Sequence, residues 1–389
     1  MIPYGKQQID KDDIESVVDV MKSDFLTQGP ITPIFENKLK LFCKAKYATA
    51  TVNATSALHL ACMSLGVSKG DIVWTSPISF VASANCAVYC GAQIDFVDIN
   101  SLTYNICEIK LKQKLVDAKK KNKLPKVIIP VHLSGQSCEM KKINELSKEF
   151  KFKIIEDASH AIGAEYNGMP VGSCQYSDIT VFSFHPVKII TTCEGGACLT
   201  NDKNIHNKIY NLRSHGIVRN QRDMINESHG EWYYEQRYLG FNYRLNDLQA
   251  ALGINQIKKL KYFVKKRHEI ADTYAKYFKN NENIITPYQQ ECSISSYHLY
   301  IIKTSNKNGY NRDEIFKRLR KYGYQVNIHY IPIYRHPYYS KNYKTSDFPN
   351  CEDYYSKAIS LPIYPSLHKS EIKRVVDIIE NKVNYQTLF

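Results

Sequence analysis

An α/β fold, with a large mostly parallel sheet domain and a small α/β C-terminal domain, is predicted by three features of this sequence. Short apolar strands alternate with helical patterns through the first two thirds, as in a parallel sheet covered on both faces. Around Asn246 the alternation gives way to one long helical stretch. The 389 residues suffice for two domains and contain no repeat or low-complexity tract. The expected division is 1–245, an arm and the large domain, and 246–389, an interdomain helix and the small domain.

The N-terminal segment, with a helix at Asp12–Ser23 and the turn Gln28–Gly29–Pro30, is expected to form an arm over a site. Tyr47–Val52 is apolar and short enough for a strand, and Ser56–Leu65 has helical spacing. Ile72–Thr75 is the next strand, followed by a helix around Phe80–Tyr89. Ile94–Asp98, Val127–Leu133, Ile154–Glu156, Ile179–Phe184 and Ala197–Thr200 complete the strands. From Asp247 to Tyr277, Leu248, Leu252, Ile257 and Leu260 keep helical spacing. A strand at Tyr297–Lys303 and helices near Arg312–Tyr322 and Ser370–Ile379 close the chain.

Composition excludes several classes. The 43% hydrophobic and 23% charged content is that of a soluble globular protein. No apolar run approaches the roughly 20 residues that cross a bilayer, and MIPYGKQQIDKDD has no signal-peptide core. A cytoplasmic protein with no membrane partner is expected. The eleven Cys are scattered, without a C-x-x-C pair. Cys86 and Cys90 read as buried thiols on a helix face rather than ligands, so no metal is expected. The formal charge is +14, with Lys119, Lys120, Lys121 and Lys123 on a solvated face. Such an excess attracts anions such as a nucleotide diphosphate. There is no nucleic-acid motif, and no nucleic-acid partner is expected.

Two segments carry chemistry. In IIEDASH, Asp157 ends a strand, where open α/β sheets bind ligands; alternatively it caps a following helix. In TVFSFHPVKIITTCEGGACLTND, Lys188 follows a buried strand and precedes Glu194–Gly195–Gly196, whose glycines let backbone approach a ligand. A Lys in such a place can form a Schiff base with an aldehyde cofactor; alternatively it is a solvated loop residue. Pyridoxal phosphate (PLP) needs both groups: a carboxylate to keep its pyridine nitrogen protonated and a Lys to hold its aldehyde carbon. Thr55 and Ser56, at a helix start in VNATSAL, suit a phosphate or are plain caps. Ser183 offers another hydroxyl. Phe80 can stack on the pyridine face or belong to the core. His160, three residues after Asp157 on the same side of a helical turn, can reach the phenolic oxygen of PLP.

LTQGP, NATSAL, SPISFVASAN, EDASHA, VFSFHPVKIITTCEGGACLTND, RSHG and GFNYRLNDLQAALG, in this order, resemble the DegT-type sugar aminotransferases. The resemblance implies an aspartate-aminotransferase-like fold (PLP fold type I) with PLP on Lys188. It assigns Asp157 to the pyridine nitrogen and His160, where many members carry Gln, to the ring oxygen. Thr55, Ser56 and Ser183 then hold the phosphate. Asn242 reaches the neighbouring subunit's cofactor phosphate, which implies a homodimer with shared sites. Within the family, Tyr4, the arm residues Asp24, Phe25, Leu26 and Thr27, and the segment Asn327, Ile328, His329 and Tyr330 resemble those of the enzymes that serve pseudaminic acid biosynthesis. Ser56, Ser183 and Asn242 join them as substrate contacts. The implied reaction passes an amino group from L-glutamate to C4 of UDP-2-acetamido-2,6-dideoxy-β-L-arabino-hex-4-ulose. The run Asn327–Ile328–His329–Tyr330 departs from the usual Gln-Val-His-Tyr-like pattern, which leaves open 4- or 3-amination of another keto-sugar. The other alternative is a PLP-binding regulator; no DNA-binding segment supports it.

Overall fold

The computed structural model describes residues 1–307 and 309–382. Its main sheet has seven strands: β1 (Tyr47–Thr51), β2 (Ile72–Thr75), β3 (Gln93–Phe96), β4 (Val127–Ile129), β5 (Lys153–Asp157), β6 (Ile179–Ser183) and β7 (Gly196–Thr200). They lie in the order β1-β7-β6-β5-β4-β2-β3. From β6 to β3 every pairing is parallel, as expected. β7 departs from the parallel reading and runs antiparallel to both β1 and β6. No helix lies between β6 and β7 to carry a parallel crossover, so the chain returns beside itself. β6 is buried along its whole length, with both faces covered. β4 stops at Ile129 rather than Leu133 because Pro130 brings no N–H to the ladder.

Helices α1 (Lys11–Met21), α2 (Ile31–Cys43), α3 (Ala54–Ser64), α4 (Ala82–Tyr89), α5 (Glu108–Lys120), α6 (Met140–Phe150) and α7 (Lys203–Leu212) surround the sheet. The long helix α8 (Asp247–Phe278) has 32 residues and opens with a capping box from Asn246 and Gln249. Its first residue, Asp247, is fully buried and accepts from Thr32 N at 3.2 Å, Thr32 Oγ1 at 2.5 Å and Ile31 N at 3.3 Å. The start of α8 thereby caps α2, whose own cap position, Pro30, offers no side-chain acceptor.

Beyond α8, β8 (Ile284–Ile285), β9 (Tyr300–Thr304) and β10 (Ala358–Leu361) form an antiparallel sheet in the order β8-β9-β10. Helices α9 (Arg312–Lys321), α10 (Pro349–Lys357) and α11 (Lys369–Ile379) accompany it. Ile270, Tyr274, Ile302, Leu319, Ile359 and Val375 form one buried cluster, so the end of α8 belongs to this core. β9 begins at Tyr300 rather than Tyr297, whose φ of 48° is not extended. Residues 383–389 of the expected C-terminal domain lie outside the described residues. Ile2–Pro3 pairs in parallel with Tyr324–Gln325, which ties the N-terminus to the C-terminal part and sets Tyr4 beside it. Among the described residues, no helix is long and apolar enough to cross a membrane, and no cluster could hold a metal ion.

Candidate active site

β5 and β6 are parallel neighbours, with Asp157 in register with Val181. Asp157 and Ser183 are their last residues, so both side chains come to one edge of the sheet. Lys188 follows five residues after Ser183, on the loop to β7. A cavity of about 520 Å³ opens here. Asp157, His160, Ser183 and Lys188 line it from the sheet, and Thr55 from the first turn of α3. Phe80 joins from before α4, Tyr4 from the N-terminus, and Asn327, His329 and Tyr330 from the C-terminal part.

Asp157 is 4% exposed. Its Oδ1 accepts from Ser159 Oγ at 2.6 Å and Ser159 N at 3.2 Å, and its Oδ2 from Ser83 Oγ at 2.6 Å. No helix follows β5, so the helix-cap alternative does not apply; the bond to Ser159 N closes a local turn. All three donors are neutral. A carboxylate has about four lone-pair directions, so one remains for a further donor on the cavity side. That is the environment a pyridinium N–H requires.

Lys188 Nζ makes no hydrogen bond or ion pair among the described residues. Burial lowers its pKa to about 8, and the nearby Asp157 carboxylate opposes the shift. An amine with this pKa still carries its proton near neutral pH but gives it up far more readily than an ordinary Lys, which suits a nucleophile or base.

His160 lines the cavity but sits in a turn, not on the expected helical turn. Ser134 N donates to its Nδ1 at 3.3 Å, and its Nε2 lies 3.0 Å from Tyr330 Oη. With Nδ1 accepting, the proton belongs on Nε2, by inference from the network. Burial, then the charges of Lys188 and His329, hold its pKa well below the usual range. Both nitrogens are therefore engaged within the protein. With Nε2 donating to Tyr330 Oη, the proton of Tyr330 is left to the cavity.

Several expected residues lie elsewhere. Asn53 caps α3 and takes Ser56 N at 2.8 Å, so this N–H is not free for a phosphate. Ser56 itself is 6% exposed and does not line the cavity. Ile328 does not line it either. The arm residues Asp24, Phe25, Leu26 and Thr27 are remote from this cavity because α1 packs along α8. Asp24 and Phe25 border a separate cleft with Ile254 and Lys258, and Leu26 O accepts from Asp247 N. Asn242 is exposed, bridged to Ser214 and outside the cavity. The glycines of Glu194–Gly195–Gly196 are required by close packing. A Cβ on Gly196 would come within 2.5 Å of the Asn53 carbonyl carbon, and one on Gly195 within 2.0 Å of Thr192 Oγ1.

Sequence reading missed Asn53, Ser79, Ser159, His185, Glu194 and His298 on the cavity wall, and Ser83 behind Asp157. Asn53 and Ser159 carried signals, as an N-cap residue before a helix and as a hydroxyl two places after Asp157. His298 had none.

The model of the DegT/DnrJ/EryC1/StrS aminotransferase family matches residues 7–380. A UDP-4-amino-4,6-dideoxy-N-acetyl-β-L-altrosamine transaminase from Campylobacter jejuni subsp. jejuni serotype O:23/36 is 39% identical over 379 residues, 97% of this chain and 96% of the relative. The solved structure of Helicobacter pylori PseC, an aminotransferase involved in the biosynthesis of pseudoaminic acid, superposes with a TM-score of 0.89 at 34% identity, covering 98% of each chain. Spr1654 from Streptococcus pneumoniae, solved in its PLP form, gives 0.87 at 26% identity, covering 98% of this chain and 100% of the other.

Proposed function

The chain belongs to the DegT/DnrJ/EryC1/StrS aminotransferase family, a family of PLP-dependent sugar aminotransferases, and we propose that it passes an amino group from L-glutamate to C4 of UDP-2-acetamido-2,6-dideoxy-β-L-arabino-hex-4-ulose. The product is UDP-4-amino-4,6-dideoxy-N-acetyl-β-L-altrosamine, as the name of the Campylobacter relative suggests. The observation that carries the catalytic reading is the pairing of Asp157, with its remaining lone pair, and an unbonded Lys188 of lowered pKa in one cavity.

Bound PLP supplies the electron sink that eases removal of a proton from the donor's α-carbon. Asp157 keeps the pyridine nitrogen protonated, and Ser83 and Ser159 fix the direction of its oxygens. Lys188 would hold the cofactor's aldehyde carbon, and its amine would move a proton between the donor's α-carbon and that carbon. In the second half the same amine moves it back toward C4 of the sugar. A positioned base of this kind contributes about 10²–10⁴-fold. Ser183 and Thr55 bind the phosphate, and Phe80 covers the ring. Tyr4, Asn327, His329 and Tyr330 present an amide, an imidazole and two phenols to the sugar nucleotide. The arm residues Asp24–Thr27 and Asn242 do not line their own cavity, which suits a two-fold dimer in which they complete the partner's site.

The substrate is tested by kcat/KM for the UDP-linked N-acetyl 4-keto sugar against its non-acetylated counterpart. A site that hydrogen-bonds a substrate group rejects analogues lacking it by as much as ~10⁴-fold, whereas an apolar pocket manages ~10–200-fold per methylene. Strong preference for the acetylated sugar is expected, and it should collapse in His329→Ala. Equal values would remove the substrate assignment.

A further inference from the structure

His298 lies on the cavity wall just before β9 and is 3% exposed. Its ring centroid is 4.3 Å from that of His160. Among the described residues no hydrogen bond reaches either ring nitrogen, and Nδ1 is sealed from solvent. Nε2 is therefore the nitrogen left to face the cavity. A sealed N–H without an acceptor is rarer and costlier than a sealed lone pair, so the proton belongs on Nε2. Burial first, then His160, Lys188, Arg267 and His329, keeps the ring neutral. The cavity thus meets a neutral N–H donor that the protein itself does not use.

The backbone carrying His298 is clamped from behind. Arg267, on α8 and 1% exposed, donates through Nη1 to the carbonyls of Tyr297 (3.1 Å), His298 (3.2 Å) and Ile363 (2.9 Å). No carboxylate pairs with this guanidinium among the described residues, and its Nε is also unpartnered. Burial lowers its pKa to about 9, which still leaves it charged at neutral pH. A buried cation without a counter-ion favours an anion nearby.

We infer that His298 takes the α-carboxylate of the amino-acid donor, with Arg267 as the positioning residue behind it. The inference rests on the aminotransferase reading above. The donor's α-carbon has to reach the Lys188 amine, at about 3–3.5 Å for reaction. Its carboxylate lies one bond further, so the receiving group must stand beside Lys188. Asp157 and Glu194, which line the same cavity, repel a carboxylate. The corner formed by His298 and Arg267 is the one whose charge attracts it.

Isothermal titration calorimetry of the holoenzyme with L-2-methylglutamate, which lacks the α-hydrogen and cannot turn over, reads donor binding without catalysis. His298→Phe should weaken this binding about 10–100-fold, the span of one hydrogen bond to a charged group. His298→Asn, which keeps an N–H donor, should recover most of the loss and guards against a folding artefact. The KM of the pyridoxamine form for the keto-sugar nucleotide should stay within about twofold, since uniform donor binding does not enter that half. Unchanged affinity in His298→Phe overturns the inference. So does a loss confined to the sugar nucleotide, which would give His298 to the sugar. A wild-type enzyme that neither binds methylglutamate nor reacts with L-glutamate would instead defeat the functional reading, and the inference with it.

Discussion

Asp157 and His329 are almost equally buried, 4% and 4% exposed, on opposite sides of one cavity, yet their surroundings do opposite things. Around Asp157 the donors of Ser83 and Ser159 converge on a charge and sustain it. Around His329, burial and then the Lys188 charge remove one, lowering its pKa to about 3, while Nδ1 shares a 2.8 Å bond with Ser360 Oγ. The sheet side of the site is built to hold charge at a fixed point. The C-terminal wall offers neutral groups whose directions are set by packing, such as Tyr354 Oη donating to His329 O. The first suits stabilising a charged transition state, the second suits choosing a substrate. Changes on the sheet side should therefore lower kcat for every substrate, and changes at Asn327, His329 and Tyr330 should alter which sugar is accepted.

The largest effect tests the sheet side directly. Lys188→Ala should abolish turnover and the visible absorbance of the bound cofactor, because among the described residues no other amine lines the cavity. Appreciable transamination by this variant would end the assignment. Asp157→Asn comes next. It removes the carboxylate assigned to the ring nitrogen in the proposed reaction, and breaking a buried charge interaction costs about 3–5 kcal/mol, or some 10²–10⁴-fold in rate. Single-turnover reaction with glutamate checks it; a rate equal to wild type would reduce Asp157 to a turn-former. If the shared-site reading is right, mixing inactive Lys188→Ala with an inactive Asn242 variant should restore activity through hybrid dimers. Confirmed subunit exchange without recovery would count against it.

A smaller effect separates orientation from charge. Ser83→Ala removes one of three neutral donors to Asp157 and leaves the carboxylate in place. Such a bond is worth about 1 kcal/mol, so kcat should fall about fivefold to tenfold with KM little changed, and Ser83→Thr should restore it. An equal fall in the Thr variant would point to packing around Ser79 and Ser83 instead.

The sheet side was also the more legible in sequence. Asp157 and Lys188 could be read because each ends or follows an apolar strand, and adjacent parallel strands deliver their C-terminal residues to one edge. Ser83 could not, since it reaches Asp157 across 74 positions of sequence with no local pattern. The wall was legible only as a segment. Tyr4 is placed by a two-residue parallel pairing too short to recognise, and His298 by carbonyl bonds to an Arg more than thirty positions away. The arm residues Asp24–Thr27 were read as a cover for this chain's site, but α1 carries them along α8. The reversed strand β7 shows the same limit: strand composition does not record direction.

The least disruptive test leaves the reaction aside and asks only whether the sheet side is as dry as its geometry implies. Burial holds the Lys188 amine at about 8 against an ordinary 10.5. Between those values the unfolded chain binds a proton there that the folded apoprotein does not. Stability must then rise with pH across this window, because the slope follows the excess of protons bound by the unfolded state. Below about 8 both states are protonated and the cost of burying the ammonium is present in full; above 10.5 it is absent. The shift of 10.5 − 8, or 2.5, corresponds to an upper bound of about 3 kcal/mol. Urea denaturation of the apoprotein should find Lys188→Met more stable than wild type near pH 7. That gap should shrink by about 1–2 kcal/mol on going to pH 9.5. The added apolar packing of Met is independent of pH, so only the change in the gap reports on Lys188. A gap that stayed constant would mean that water reaches the amine in the apoprotein, and the lowered pKa, with the contrast between the two sides of the cavity, would have to come from the cofactor instead.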